Sequence, residues 1–301
     1  MHTRHYPMSD LFKLCDISRQ AHHQRLIREK NWASLEYLVV GLIMQIREIH
    51  PGMGLRVIYD ILKPNGLGRD AFISIGLSYG FRLITYKNQI RTTFSSPFSR
   101  YKNLLVDKQL NDINQLWTSD ITYYSIADKF YYIVMIIDVY SRKIIGYSTS
   151  DNMRAENNCN ALEMAFHTRK KKKYTELVHH SDRGGQYISD DYVSLLKNAN
   201  IAISMCNEVY ENAHIERVNG TIKNQYLRYW NSASFEELKN NVKKAIDTYN
   251  NKRPHSSLHK RTPNSFEQYI KELEVEERPK LNIWTSDGTK KTDPNQTILQ
   301  F

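Results

Sequence analysis

LWTSDITYYSIADKFYYIVMIIDVYSRKIIGYST, residues 116–149, is the stretch on which the fold turns. Leu116 to Ile126 mixes Trp, Ile, Thr and paired Tyr residues between polar neighbours, the composition of a strand. Ala127-Asp128-Lys129 is a short link to a second apolar run, Phe130 to Asp138, and Lys143 to Thr149 makes a third. Links this short join antiparallel neighbours, so the stretch predicts a meander of three strands. Downstream the period changes. A helix is expected over Ala155 to Arg169, a strand over Glu176 to Ser181, a helix over Asp190 to Asn198 and a strand over Ile201 to Met205. A last helix follows, with Ile215, Val218, Ile222, Tyr226 and Tyr229 at spacings of three and four. Hairpins first and helix-strand alternation afterwards specify an α/β fold, a mixed sheet with flanking helices.

Three carboxylates fall on this frame. Asp120 lies inside the first strand, Asp182 follows the run Leu177-Val178 where Arg183-Gly184-Gly185 begins a turn, and Glu216 rides the last helix. A strand, a strand end and a helix can converge. Taken singly, each acid is an ordinary turn or surface residue hydrogen-bonded to nearby backbone. Brought together, they repel and stay ionised at neutral pH only around a strong positive charge. An all-oxygen donor set suits magnesium or manganese rather than zinc. Asp138, at the end of the second strand, reads instead as holding the turn Val139 to Arg142.

The phrases WTSDITYY, VMIIDVYSRKIIGY, HHSDRGGQY, ENAHIERVNGTIKN and YNNKRPHSSLHKRTP resemble the consecutive signatures of OrfB-type transposases of the bacterial IS-three group, which carry a retroviral-integrase-like core. The resemblance covers about Leu116 to Phe266 and implies a ribonuclease-H-like fold, with Asp120, Asp182 and Glu216 as catalytic triad and ligands of two magnesium or manganese ions. It also implies metal-dependent DNA cleavage and strand transfer, a homo-oligomer on DNA, and an upstream-frame OrfA partner or fusion. One departure stands out: 33 residues (183 to 215) separate Asp182 from Glu216, fewer than the family's usual interval, and the shortage falls in Cys206 to Tyr210. After Glu216, Asn219 and Lys223 follow at i+3 and i+7, near the same helix face, and are expected to meet DNA. Ser234 and Glu237 form the start of a further helix to Asn250 as a capping box. Arg253 and His255 read as ties for its end. A ribonuclease-H-like nuclease and a DNA-binding descendant without catalysis are the competing readings.

Ahead of the core, residues 1–80 are expected to be a small all-α helix-turn-helix region. Helices are expected over Ser9 to Arg28, with Leu11, Leu14, Ile17 and Ala21 on one side, and over Leu35 to His50, with Leu38, Leu42, Ile46 and Ile49 on one face. Leu55 to Leu62 and Arg69 to Tyr79, around a turn at residues 63–68, make the helix-turn-helix, with Arg69 opening the reader helix. Gly76 is expected to weaken that helix by about 1 kcal/mol. Residues 81–112 read as a basic linker, in which Arg82 and Arg91 stand among aromatic residues as DNA contacts. The core is expected over 113–272 and a polar tail over 273–301.

Composition agrees with a polyanionic partner. Lys and Arg total 42 against 32 Asp and Glu in 301 residues, a formal charge of +10, which favours nucleic acid as partner. Three widely spaced cysteines suggest neither a disulfide framework nor a zinc site. No apolar run approaches the roughly 20 residues of a membrane span, and the first ten residues lack a signal peptide's apolar centre. A cytoplasmic protein is expected.

Overall fold

A computed structural model describes residues 7–84, 99–206 and 209–283, in two units, Met1–Ile84 and Thr85–Phe301. The first contains α1 (Met8–Leu14), α2 (Arg19–Ile49), α3 (Leu55–Leu62) and α4 (Arg69–Ser78). Two expectations are corrected here. The helix expected over Ser9 to Arg28 breaks at residues 15–18, where Asp16 takes a left-handed φ of 52° and the Ser18 hydroxyl accepts the Ala21 N–H at 3.0 Å as N-cap of α2. From there α2 runs on without interruption, because no Gly or Pro separates Arg28 from Leu35.

Its inward face is also shifted. Leu38 is 55% exposed, whereas Val39 and Ile43 are fully buried, flanked by Leu35 and Ile46. The helix carries two overlapping apolar stripes, and packing on Met53, Phe72 and Ile75 selects the second. Leu11, Leu14 and Ile17 remain exposed. Gly76 is not a weak point in an open helix: it is buried, and a Cβ there would come within 2.8 Å of both Leu55 methyls. The glycine lets α4 close on α3, whose Tyr59 ring packs 5.6 Å from Phe72. No helix among the described residues is long and apolar enough to cross a membrane.

The second unit opens with β1 (Gln109–Leu110), then β2 (Leu116–Ile126), β3 (Lys129–Asp138) and β4 (Ile144–Ser150), the expected antiparallel meander. Next come α5 (Ala155–Arg169), β5 (Val178–Ser181), α6 (Asp190–Asn198) and β6 (Ala202–Met205). Both β2/β5 and β5/β6 are parallel, giving one mixed five-stranded sheet ordered β4-β3-β2-β5-β6, the ribonuclease-H-like arrangement. The sheet has helices on both faces. Trp117, Val134 and Ile136 pack toward α5 and α6, with Leu162 and Leu196. Tyr124, Ile133 and Met135 pack toward α7 (Ala213–Ile222) and α9 (Phe235–Lys252), with Ile215, Val218 and Val242. Gly146 on β4 allows α5 its closest approach, since a Cβ would meet the Ala161 carbonyl at 2.1 Å.

Between α7 and α9 lie a π-helical turn, Lys223–Leu227, and the short α8 (Arg228–Trp230). The single regular helix expected through Tyr229 is thus interrupted about two turns beyond Glu216. At the start of α9, Ser234 caps the Glu237 N–H, but Glu237 reaches back to the N–H of Ala233 rather than of Ser234. α10 (Pro263–Lys271) and β7 (Leu281–Asn282) follow.

The core draws in more chain than its expected limits of 113 and 272. From Ser99 onward the expected linker packs on it: Leu105 and Leu110 are buried, and the Leu104 N–H donates to Ser204 Oγ at 2.9 Å. At the other end, β7 pairs with β1 and Ile283 is buried. Apolar residues in an otherwise polar context, Leu105, Leu110, Leu281 and Ile283, supply the reason.

Asp138 is fully buried and does hold its turn, accepting the Tyr140 N–H at 3.1 Å. Arg169, at the end of α5, bonds it at 2.8 Å and pairs also with Glu267 of α10 at 2.8 Å. Lys143 adds a second cation to Glu267 at 3.2 Å.

Candidate active site

β2 leaves the sheet's centre with Asp120 on the side facing α7, because side chains alternate along a strand. Its position is rigid: Asp120 is in register with Met135 of β3, beyond the end of the β5 pairing at Ser119–Ser181. Asp182 follows directly on β5, and parallel β2 and β5 therefore deliver both acids to one edge. Crevices at the carboxyl ends of parallel strands are where open α/β sheets bind ligands. The Gly184 N–H donates to Asp182 Oδ1 at 3.0 Å. A Cβ at Gly184 would crowd that same oxygen at 3.0 Å.

Glu216 comes from the first turn of α7, while Ile215, Val218 and Ile222 bury the helix against the sheet. Three acids from three elements thereby share one region. Burial first, and then the charges of Asp182 and Glu216, push the Asp120 carboxyl up to about 8. Asp182 is raised by burial, opposed by the Gly184 N–H. Glu216 is the exposed member, and partial burial of its carboxyl raises it as well. Among the described residues no three His, Cys, Asp or Glu side chains close on a common point as a metal cluster.

The helix-face residues behave differently from one another. Asn219, expected to meet DNA, is instead 5% exposed and donates its amide to Asp120 Oδ2 at 2.7 Å. One turn beyond a helical acid, a short amide reaches the neighbouring strand before it reaches solvent. Its Oδ1 is buried with no partner. Lys223 is half-buried, its Nζ 4.3 Å from the centroid of the Tyr123 ring. Burial, then the nearby charge of Arg228, lowers its ammonium to about 8.

Arg69 is exposed at the start of α4 and pairs with Asp70 at 2.9 Å. Arg82 is exposed at the end of the first unit, and Arg91 lies outside the described residues. Arg253 and His255 tie the end of α9: Arg253 Nε donates to Gln225 Oε1 at 3.1 Å, and His255 packs edge-on to Tyr249 at 4.8 Å.

Sequence reasoning missed Asn212, which ends the shortened loop. Its Nδ2 donates to the Ser119 carbonyl at 3.2 Å, next to Asp120, so the start of α7 is anchored to the strand that carries the first acid. The Glu-Asn-Ala phrase ahead of the helix contained that signal. On the opposite face of β2, Ser119 Oγ and Tyr187 Oη lie 3.0 Å apart and fix the strand from behind.

Comparison with known proteins shows what these elements are similar to. Residues 111–209 match the integrase core domain family, and residues 200–263 match a second integrase core domain description. Transposase InsF for insertion sequence IS3A of Escherichia coli (strain K12) is 36% identical over 157 residues, 51% of this chain and 54% of that protein. The insertion element IS600 uncharacterized 31 kDa protein of Shigella sonnei is 33% identical over 158 residues, 52% of this chain and 57% of that protein. The chain spans about half the length of the curated relatives it matches. Among solved structures, the HTLV-2 integrase catalytic core domain in complex with magnesium aligns with TM-score 0.42 and 21% identity, over 52% of this chain and 97% of that one. The BIV integrase catalytic core aligns with TM-score 0.41 and 17% identity, over 52% of this chain and 96% of that one.

Proposed function

We propose, from this chain's likeness to the integrase core domain over residues 111–209 and to a second integrase core description over residues 200–263, that it is a DDE transposase of an insertion sequence, cleaving DNA strands and transferring their ends. The observation that carries the reading is the meeting of Asp120, Asp182 and Glu216 at the carboxyl edge of β2 and β5, close enough that two of them act on the charge of the third. Structural acids are ordinarily paired, as Asp138 is with Arg169. This group has no cation among the described residues.

The donor set fits magnesium or manganese. All candidate ligands are oxygens, and the partnerless Asn219 Oδ1 is a further buried acceptor beside Asp120. Asp120 and Asp182 would hold the metal, with Glu216 completing the site. When bound, two such ions supply a polarised nucleophile on one side of phosphorus and charge stabilisation for the leaving oxygen on the other. The chain's own part is positioning. Asn219 fixes the rotamer of Asp120, Gly184 fixes that of Asp182, and Asn212 holds α7 to β2. In-line displacement at phosphorus needs little else from a protein.

The partners of this reading are the element's ends and target DNA, a second copy of the chain, and an OrfA product as partner or fusion. The net charge of +10 supports a polyanionic substrate, and Arg69, Arg82, Arg91 and Lys223 are its proposed contacts. Incubation of the protein with labelled element ends and magnesium tests the proposal. Joined products are expected. Cleavage without joining would mean a ribonuclease-H-like nuclease, and a shifted band alone a DNA-binding protein without catalysis.

A further inference from the structure

A second cluster lies on the other flank of α7, and it is basic. Successive helical residues turn by about 100°, so His214 and Arg217 share a face roughly opposite that of Glu216 and Asn219. The guanidinium of Arg142, in the turn between β3 and β4 with φ of 60°, is hydrogen-bonded to His214 Nδ1. Arg253, just past α9, brings its Nη1 to 3.4 Å from His255 Nδ1. These groups are near neighbours: Arg217 acts on the charge of Arg142, and both Arg142 and Arg253 act on His255. Burial, with Arg217 adding to it, lowers Arg142 to about 10, and burial followed by the two arginines holds His255 well below the imidazole range.

Three guanidinium groups from three separate segments are thus gathered around two imidazoles, so that histidines rather than acids fill the space between them. Among the described residues none of the three arginines forms an ion pair; Asp138, whose charge reaches Arg142, is committed to Arg169 at 2.8 Å. Arg169 shows what a structural arginine in this fold looks like, with two carboxylates within 2.8 Å. A group of like charges left without counter-charge in the folded chain is compensated by an anion, and arginines present the donor fork that suits phosphate.

We infer that Arg142, Arg217 and Arg253, with His214 and His255, form a second DNA contact that takes a backbone phosphate on the flank of α7 away from the carboxylates. The inference rests on the DNA-processing reading above and adds to it a site outside the cutting edge. Duplex held by this cluster and by the carboxylates is gripped from both sides of one helix, which fixes α7, and Glu216 with it, against the substrate.

The test uses the full chain in EDTA, so that binding is read without cleavage, and a fixed duplex titrated at several salt concentrations. Arg217 is exposed, and Arg217→Ala should therefore fold; Arg253→Gln, which can keep a bond to Gln225, is the second variant. Each should weaken binding and shallow the slope of log affinity against log salt by about one unit, the double variant by about two, while Arg217→Lys keeps the wild-type slope. Variant slopes superimposable on that of a wild type that binds the duplex overturn the second contact and leave the transposase reading intact. A wild type that fails to bind duplex at all overturns the reading, and the contact with it.

Discussion

Two groups of acids gather at adjacent strands of one sheet, around Asp138 of β3 and Asp120 of β2, and they are treated in opposite ways. Asp138 of β3 and Glu267 of α10 are surrounded by donors: Arg169 bonds both, Lys143 and Ser141 serve Glu267, and backbone N–H groups serve Asp138. Asp120 of β2, a few residues along the neighbouring strand, receives the Asn219 amide and the Ile121 backbone N–H, and is pushed upward by burial and by two further acids; burial raises Asp138 as well, but there the charge of Arg169 opposes it. The first arrangement is complete within the chain. The second has no cation among the described residues, and on the proposed reading that difference separates an acid that holds the fold from one that binds a metal.

The largest expected effect breaks the second group. Asp120→Asn, Asp182→Asn or Glu216→Gln should each lower metal-dependent strand cleavage and joining by roughly a thousandfold or more, because a metal-held charge contributes several kcal/mol at the transition state. DNA binding should persist. Thermal unfolding in EDTA sharpens the contrast: with its carboxyl pushed up to about 8, Asp120 is largely neutral at pH 7, so Asp120→Asn removes a buried acid that is costly to ionise and should melt no lower than wild type. Magnesium should then raise the wild-type midpoint, by about 2.7 kcal/mol of stability at a hundredfold excess over Kd, and leave Asp120→Asn unmoved. A wild type indifferent to both magnesium and manganese would remove the metal from the site.

Arg169→Met makes the opposite cut. It strands Asp138 and Glu267 without their shared cation, and breaking such a buried pair costs about 3–5 kcal/mol. Denaturant unfolding should show that loss at neutral pH, with magnesium giving no recovery beyond its wild-type increment. A midpoint within experimental error of wild type would mean that the two buried groups do not differ in the way described.

Asn219→Ala probes the side-chain hydrogen bond that Asp120 does possess. Losing a hydrogen bond to a charged group is worth about 1.5–3 kcal/mol, so cleavage should fall about ten- to a hundredfold through misplacement of Asp120. Because the function is positioning, the deficit should appear in the turnover of bound DNA, with duplex affinity nearly constant. Loss of affinity in step with turnover would return Asn219 to the DNA surface.

The sheet was legible because its signals are local. Period-two strands, short links and the change to helical spacing are written in neighbouring residues, and WTSD, HHSD and the Glu216 helix each sit on a recognisable element. What stayed hidden depends on packing between distant segments. Leu38 and Val39 are equally good helix-face residues until Phe72 and Ile75 select Val39. Gly76 reads as a weak helix former until Leu55 is seen against it. Asn219 and Asn212 read as polar surface until β2 is placed beside them, and Leu105 joins the core only through contacts with chain far away in sequence. The π-helical turn at Lys223 likewise has no period of its own in the sequence.

Lys223 carries the smallest and most conditional expectation. It stands two turns after Glu216, but the π-helical turn and the Tyr123 ring decide where its ammonium goes, 4.3 Å from the ring centroid. Partial burial lowers that ammonium to about 8, so it is a cation at pH 7 and largely neutral at pH 9. If it meets a phosphate, Lys223→Ala should shallow the log-affinity against log-salt slope by about one unit at pH 7. A lysine whose pKa is depressed loses its charge as pH rises through that value, so the difference from wild type should close by pH 9. Lys223→Arg, charged at both values, should keep the steeper slope throughout. A solvent-facing lysine predicts instead that all three proteins coincide at pH 7, since surface substitutions change little. The competing structural role, a cation resting on Tyr123, predicts a lower melting midpoint for Lys223→Ala with an unchanged salt slope. Binding of the three proteins to one pre-cleaved duplex at pH 7 and pH 9 separates these outcomes, and a constant gap between wild type and Lys223→Ala at both pH values would show that the charge of Lys223 is not what the DNA reads.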